Sequence, residues 1–173
     1  MRIILYSAFI FAAYKWGDWK NWRKYYPTFL FWIGGDFFYN ALLRNHRFWN
    51  FTKGIIGEDI LHGHLIISLF VMFFSYTSTL LIYLGRFPHQ RLKQLFWILL
   101  WVLIYTFIEI SSNKLNSIEY HYGWNIYWSL LFNIIMFTVL KIHVSKPWLA
   151  WIISILFLIF LSNIFNLPRE SFD

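Results

Sequence analysis

Cysteine is absent from the 173-residue chain. That excludes disulfides and every thiolate metal site. Charge is scarce, at 13% of residues, where soluble domains carry about 25%. Catalytic signatures are also missing. There is no glycine-rich phosphate loop, no Gly-x-Ser-x-Gly nucleophile elbow and no His-Glu-x-x-His pair. No long apolar run has a histidine near its middle, which leaves a membrane haem without axial ligands.

Apolar and aromatic side chains fill the space. Hydrophobic residues make up 59% of the chain and aromatic residues 24%. A soluble core of this length cannot hide so much apolar side chain, because too little polar surface remains to cover it. The bilayer is the expected solvent, and length allows one integral-membrane domain over residues 1–173. The net charge of +7 does not point to nucleic acid. Its basic residues sit in short spacers beside Trp and Tyr, as membrane-flanking anchors do.

Six apolar segments can be drawn, over residues 2–14, 27–43, 64–84, 95–111, 124–140 and 148–166. A span takes roughly 17 to 25 residues. The expected fold is therefore all-α, a polytopic transmembrane bundle of six helices with a short first member. A leader peptide is not favoured at residues 1–13, because Ala12-Ala13 runs into Tyr14, Lys15 and Trp16 without a small-x-small cleavage site.

The distribution of Lys and Arg predicts orientation. The odd spacers hold nine, Lys15, Lys20, Arg23, Lys24, Arg86, Arg91, Lys93, Lys141 and Lys146. The other side holds six, Arg2, Arg44, Arg47, Lys53, Lys114 and Arg169. The positive-inside rule then places the odd spacers in the cytoplasm and both termini outside. Pro27, Pro88 and Pro147 are spaced about 60 residues apart and each precedes an apolar segment. They suggest either three duplicated hairpins or simply proline's fitness for a first helical turn. In the longest spacer, residues 45–63, the apolar content suggests an interfacial helix.

Charged and polar groups at membrane depth are expensive to bury and so mark candidate sites. Asp36 has Asn40 one turn later, beside Gly34 and Gly35, whose small size suggests close helix packing. Glu109 has Tyr105 one turn before it. With this topology both acids lie in the outer half of the bilayer, where they serve either a proton or cation pathway or a tie between helices. Asn125, Ser129 and Asn133 fall at successive i+4 steps and predict one polar stripe. Glu58, Asp59, His62 and His64 form a second cluster, with His121 expected on the same side. Glu58 and Asp59 stand four and three residues before His62, a spacing that suits one metal or a proton sensor, while exposed interfacial histidines are the simpler alternative. No other cofactor is implied. Between the fourth and fifth segments, residues 109–125 are expected to form an external lid over Glu109. Tyr120, Tyr122 and Trp124 would act there as interfacial anchors.

Several short motifs carry a family likeness: Asp18-Trp19-Lys20-Asn21-Trp22, Tyr25-Tyr26-Pro27-Thr28, Tyr105 with Glu109, Tyr120 through Trp124, Ser129, and His143 with Lys146-Pro147. In these the chain resembles a family of small multi-pass membrane proteins of unknown function from Bacillus- and Clostridium-like bacteria. The resemblance implies a bacterial cytoplasmic membrane location and supplies no activity. Three functions follow as expectations. The first is a non-enzymatic sensor or accessory subunit that works through a membrane partner or a second copy of itself. The second is a small proton or cation channel with its acidic site at Glu109 and Asp36. The third is an intramembrane metal-dependent enzyme.

Overall fold

A computed structural model describes residues 2–44, 46–51 and 69–167. The six helices are α1 (Arg2–Trp16), α2 (Trp22–Leu42), α3 (Val71–Tyr83), α4 (Arg91–Lys114), α5 (Ile126–His143) and α6 (Pro147–Ile164). Each expected apolar segment overlaps one of them, most of them running past the expected bounds. Two three-residue strands, β1 (Trp49–Phe51) and β2 (Ile118–Tyr120), and a 3-10 turn over Trp19–Asn21 complete the described elements. In the long spacer after α2, where an interfacial helix is expected, Trp49–Phe51 form β1, while residues 45 and 52–63 lie outside the described residues.

Three helices, α4, α5 and α6, are long and apolar enough to cross a membrane. At about 1.5 Å of rise per residue, the 24 residues of α4 and the 18 of α5 and of α6 reach about 36 and 27 Å, near the ~30 Å of a hydrocarbon core. The other three fall short of six demonstrable spans for identifiable reasons. Helix α1 has only 15 residues. Helix α2 has 21, but these include Arg23, Lys24, two glycines, Asp36 and Asn40. The described length of α3 is a short apolar helix, its first turns wound as a π-helix over Val71–Tyr76.

The chain divides into two compact units, Met1–Ile33 with Lys53–Trp97, and Gly34–Thr52 with Ile98–Asp173. In the first, the turn after α1 is tied to the end of α3. Asp18 N–H donates to the Leu81 carbonyl at 3.0 Å, and Arg86 Nε donates to the Trp16 carbonyl at 2.7 Å. Gly85 permits the approach, since a Cβ there would collide with the Asp18 side chain and the Leu81 carbonyl. Helix α3 is buried on every face from Ser78 to Tyr83. Its Tyr76 ring stacks on Trp32 of α2, with centroids 3.9 Å apart.

In the second unit, β1 pairs antiparallel with β2, Trp49 opposite Tyr120 and Phe51 opposite Ile118. Beneath this ribbon Leu43, Phe48, Trp124 and Leu161 form the core, with Phe48 stacked on Trp124 at 5.0 Å. Helices α5 and α6 pack through Phe132 on Phe157 and Trp128 on Phe160. The three spaced prolines take different places: Pro27 lies inside α2, Pro88 in the turn before α4, and Pro147 at the first position of α6. Only Pro147 occupies the first turn, where the missing N–H goes unneeded.

Candidate functional site

The stretch from Glu109 to Asn125 is built turn by turn. Helix α4 ends in a Schellman motif: Ser117 N–H reaches the Ser112 carbonyl at 2.7 Å and Asn116 N–H the Asn113 carbonyl at 2.9 Å. Asn116 takes the left-handed conformation this closure requires, φ 50°. Asn113 Nδ2 then donates to the Ile118 carbonyl at 3.0 Å and starts β2. After β2 the chain reverses through Tyr122 and Gly123, at φ 54° and 80°, with Trp124 N–H on the His121 carbonyl at 3.0 Å. Two consecutive positive φ values make a type I′ turn, which favours Gly at its second central position. Asn125 caps α5, its Oδ1 accepting from the backbone N–H groups of Tyr127 at 3.0 Å and Trp128 at 3.4 Å.

These devices bring four side chains to one point. Tyr120 OH donates to Glu109 Oε1 at 2.9 Å. Ser129 Oγ donates to the same Oε1. Trp124 Nε1 donates to Ser129 Oγ at 2.8 Å. The chain of donors thus runs Trp124 to Ser129 to Glu109, with Tyr120 closing it from the ribbon. Ser129 and Trp124 are buried, so each lost bond here would leave a polar group without water to replace it. Burial and the neighbouring carboxylate push the Tyr120 phenol upward, which keeps it a proton donor at neutral pH. One turn along the same two helices, Asn133 Nδ2 donates to Thr106 Oγ1 at 3.3 Å, both groups buried. A polar seam therefore joins α4 to α5, and below it Tyr105 and Trp101 of α4 pack on Phe137 of α5.

Of the expected site residues, Glu109, Ser129 and Asn133 belong to this seam. Asn125 leaves the stripe and serves as the helix cap. Tyr105 meets the Phe137 ring edge-on at 5.1 Å. Asp36 and Asn40 interact along α2, with Asn40 Nδ2 2.9 Å from the Asp36 carbonyl and 3.3 Å from its Oδ2. Among the described residues a Cβ on Gly34 or Gly35 meets nothing within 4 Å. Glu58, Asp59, His62 and His64 lie outside the described residues. His121 sits just after β2, its N–H on the Phe48 carbonyl at 2.8 Å and its buried Nε2 without a hydrogen-bond partner among the described residues. Among the described residues no three His, Asp or Glu side chains gather in one place.

Trp124 corrects an expectation. It is no interfacial anchor; it lies in the core and donates into the site. Trp16, Trp19, Trp22, Trp148 and Trp151 present exposed rings. Thr106 was open to discovery from sequence, since it stands three residues before Glu109 as Asn133 stands four after Ser129. Tyr120 was not, because its approach depends on the strand and turn. No protein-family model matches the chain, and no curated protein or solved structure is similar to it.

Proposed function

We propose that the protein is a non-enzymatic multi-pass membrane protein, a sensor or accessory subunit that acts through a membrane partner or a second copy of itself. The observation that carries this reading is the convergence of Tyr120 and Ser129 on Glu109 Oε1. The acid is engaged as a tie between a helix pair and the ribbon that covers it, where an open pathway would want it in water. A contact of this kind has two positions, tied and released, and a partner or a change in protonation can choose between them. Loss of the Glu109 charge would be the natural trigger.

The proposal includes six helices in a bacterial cytoplasmic membrane with both termini outside. Its support is the pairing of spacers. The first and third are bonded to each other through Asp18 and Arg86, and the second and fourth pair as β1 and β2. Alternate crossing puts members of each pair on one side. Cysteine introduced at Ser117 and at Ser145 tests this, because the native chain has none to interfere. External labelling of Ser145→Cys instead of Ser117→Cys overturns the orientation.

A second reading, a small proton or cation channel, draws on the seam that continues from Glu109 and Ser129 to Thr106 and Asn133. Purified protein in liposomes with a trapped pH dye separates the two. The sensor reading expects no flux in wild type, and release of the ribbon in Glu109→Gln, seen as faster exchange of the Ile118–Tyr120 amides. A wild-type proton flux abolished by Glu109→Gln would establish the channel instead.

A further inference from the structure

Two basic turns far apart in sequence meet in the first unit. The α1–α2 turn and the helix ends beside it carry Lys15, Lys20, Arg23 and Lys24, all exposed. The α3–α4 turn and the start of α4 carry Arg86, Arg91 and Lys93, also exposed. The bonds from Asp18 N–H to Leu81 and from Arg86 Nε to Trp16 hold them together. Seven cations are thereby gathered at one end of the unit. Asp18 is the one acid in either turn, and it is already engaged. It accepts from Asn21 Nδ2 at 3.0 and 2.9 Å and from Tyr25 OH at 2.8 Å. Lys15 lies over the Trp16 ring at 5.1 Å and Arg23 over Trp22 at 5.9 Å. Trp16, Trp19, Trp22 and Tyr26 are each more than 40% exposed, and amphipathic rings of this kind favour the depth where head groups meet acyl chains.

We propose that these two turns together form a binding site for anionic phospholipid head groups. The charges supply attraction that a zwitterionic head group does not match, and the exposed rings supply an apolar floor for the glycerol and upper acyl chain. Asp18 is the positioning residue. Its carboxylate fixes the α1–α2 turn through Asn21 and Tyr25, while its backbone N–H docks that turn on α3. Selectivity then depends on the juxtaposition of the turns as well as on total charge. The site presupposes the membrane residence proposed above but not the Glu109 tie.

The test uses the full chain reconstituted in vesicles of phosphatidylcholine and phosphatidylglycerol at 3:1. Spin-labelled versions of each lipid report the first shell around the protein. Wild type should enrich phosphatidylglycerol over phosphatidylcholine by about threefold or more at low salt, and the preference should fall in high salt, where charges about 10 Å apart or more are screened. Lys20→Gln with Lys24→Gln should bring the ratio towards one. Arg44→Gln with Lys114→Gln removes equal charge elsewhere and should leave it. Asp18→Ala, which removes no cation, should also lower it. Equal enrichment of the two lipids in wild type overturns the site. So does an equal fall in both charge-matched doubles, which would reduce the effect to net charge. Displacement of the lipid by inorganic phosphate at matched ionic strength would reassign the ligand to the free anion. Flotation of the same vesicles reports insertion separately, so failure to enter the membrane is not mistaken for loss of lipid preference.

Discussion

Ser129→Ala is the most informative single change in the site. The hydroxyl both donates to Glu109 Oε1 and accepts from Trp124 Nε1, and it is buried. Removing it takes little volume, so cavity formation is minor. The lost tie to Glu109 is worth about 0.6 kcal/mol by the average for polar contacts between membrane helices, and up to about 1.7. The larger effect is on Trp124. Its indole N–H lies in a core of Leu43, Phe48 and Leu161 and would be left without an acceptor, a penalty of about 1–3 kcal/mol. The sum is about 2–5 kcal/mol of unfolding free energy. Reversible unfolding of the purified protein in mixed micelles, followed by circular dichroism, measures it. Glu109→Gln leaves the Trp124 indole its acceptor and should cost less global stability than Ser129→Ala, even as loss of the charge that Tyr120 donates to loosens the ribbon. A double-mutant cycle between the two positions should give a coupling of at least about 0.5 kcal/mol. The reasoning is refuted if Ser129→Ala unfolds within about 0.5 kcal/mol of wild type, or if the two changes add without coupling.

Three further outcomes follow from the geometry. Asn125→Ala removes the cap of α5 and should destabilise by about 0.5–2 kcal/mol, with hydrogen exchange accelerating first at the Tyr127 and Trp128 amides. Gly85→Ala forces a methyl against Asp18 and the Leu81 carbonyl. It should cost about 1–3 kcal/mol by overpacking and free the α1–α2 turn, which a protease-sensitivity assay at Lys20 and Arg23 detects. Hydrogen bonds from Asn21 and Tyr25 hold the Asp18 carboxyl below its ordinary value of 3.8. A carboxylate with a depressed folded value stabilises above its unfolded value, and that contribution is lost as pH falls through the folded one. Wild type should therefore lose stability below about pH 4 by more than Asp18→Asn does, and identical acid limbs for the two proteins would contradict the assignment.

The parts of the site that sequence disclosed share one property. Glu109, Ser129 and Asn133 are polar residues in otherwise apolar helices, and helical spacing alone sets which of them stack on one face. What was obscured depends on the loop. Asn125 fits the i+4 stripe equally well as a helical residue or as a cap, and only the extended backbone at that position decides in favour of the cap. Trp124 has the composition of an interfacial anchor, yet the type I′ turn at Tyr122 and Gly123 directs it inward. Tyr120 reaches Glu109 because β2 pairs with β1, a partner some 70 residues earlier whose register no local pattern encodes.

By itself the sequence determined the elements. Its apolar excess, its scarcity of charge and its long hydrophobic runs favour helices, three of them long and apolar enough to cross a membrane. They also place the basic and aromatic residues at helix ends. Helical periodicity is local, so it survives without knowledge of the fold. Tertiary structure decided which ends meet. It joined residues 15–24 to 86–93 and β1 to β2. It also left Asp36 bonded to Asn40 on its own helix and Glu109 tied to Tyr120 and Ser129. Such pairings rest on turn conformations and strand register between distant segments, where a single left-handed residue such as Gly123 or Asn116 redirects everything after it. The stretch from Glu109 to Asn125 is accordingly held to its own acid through Tyr120.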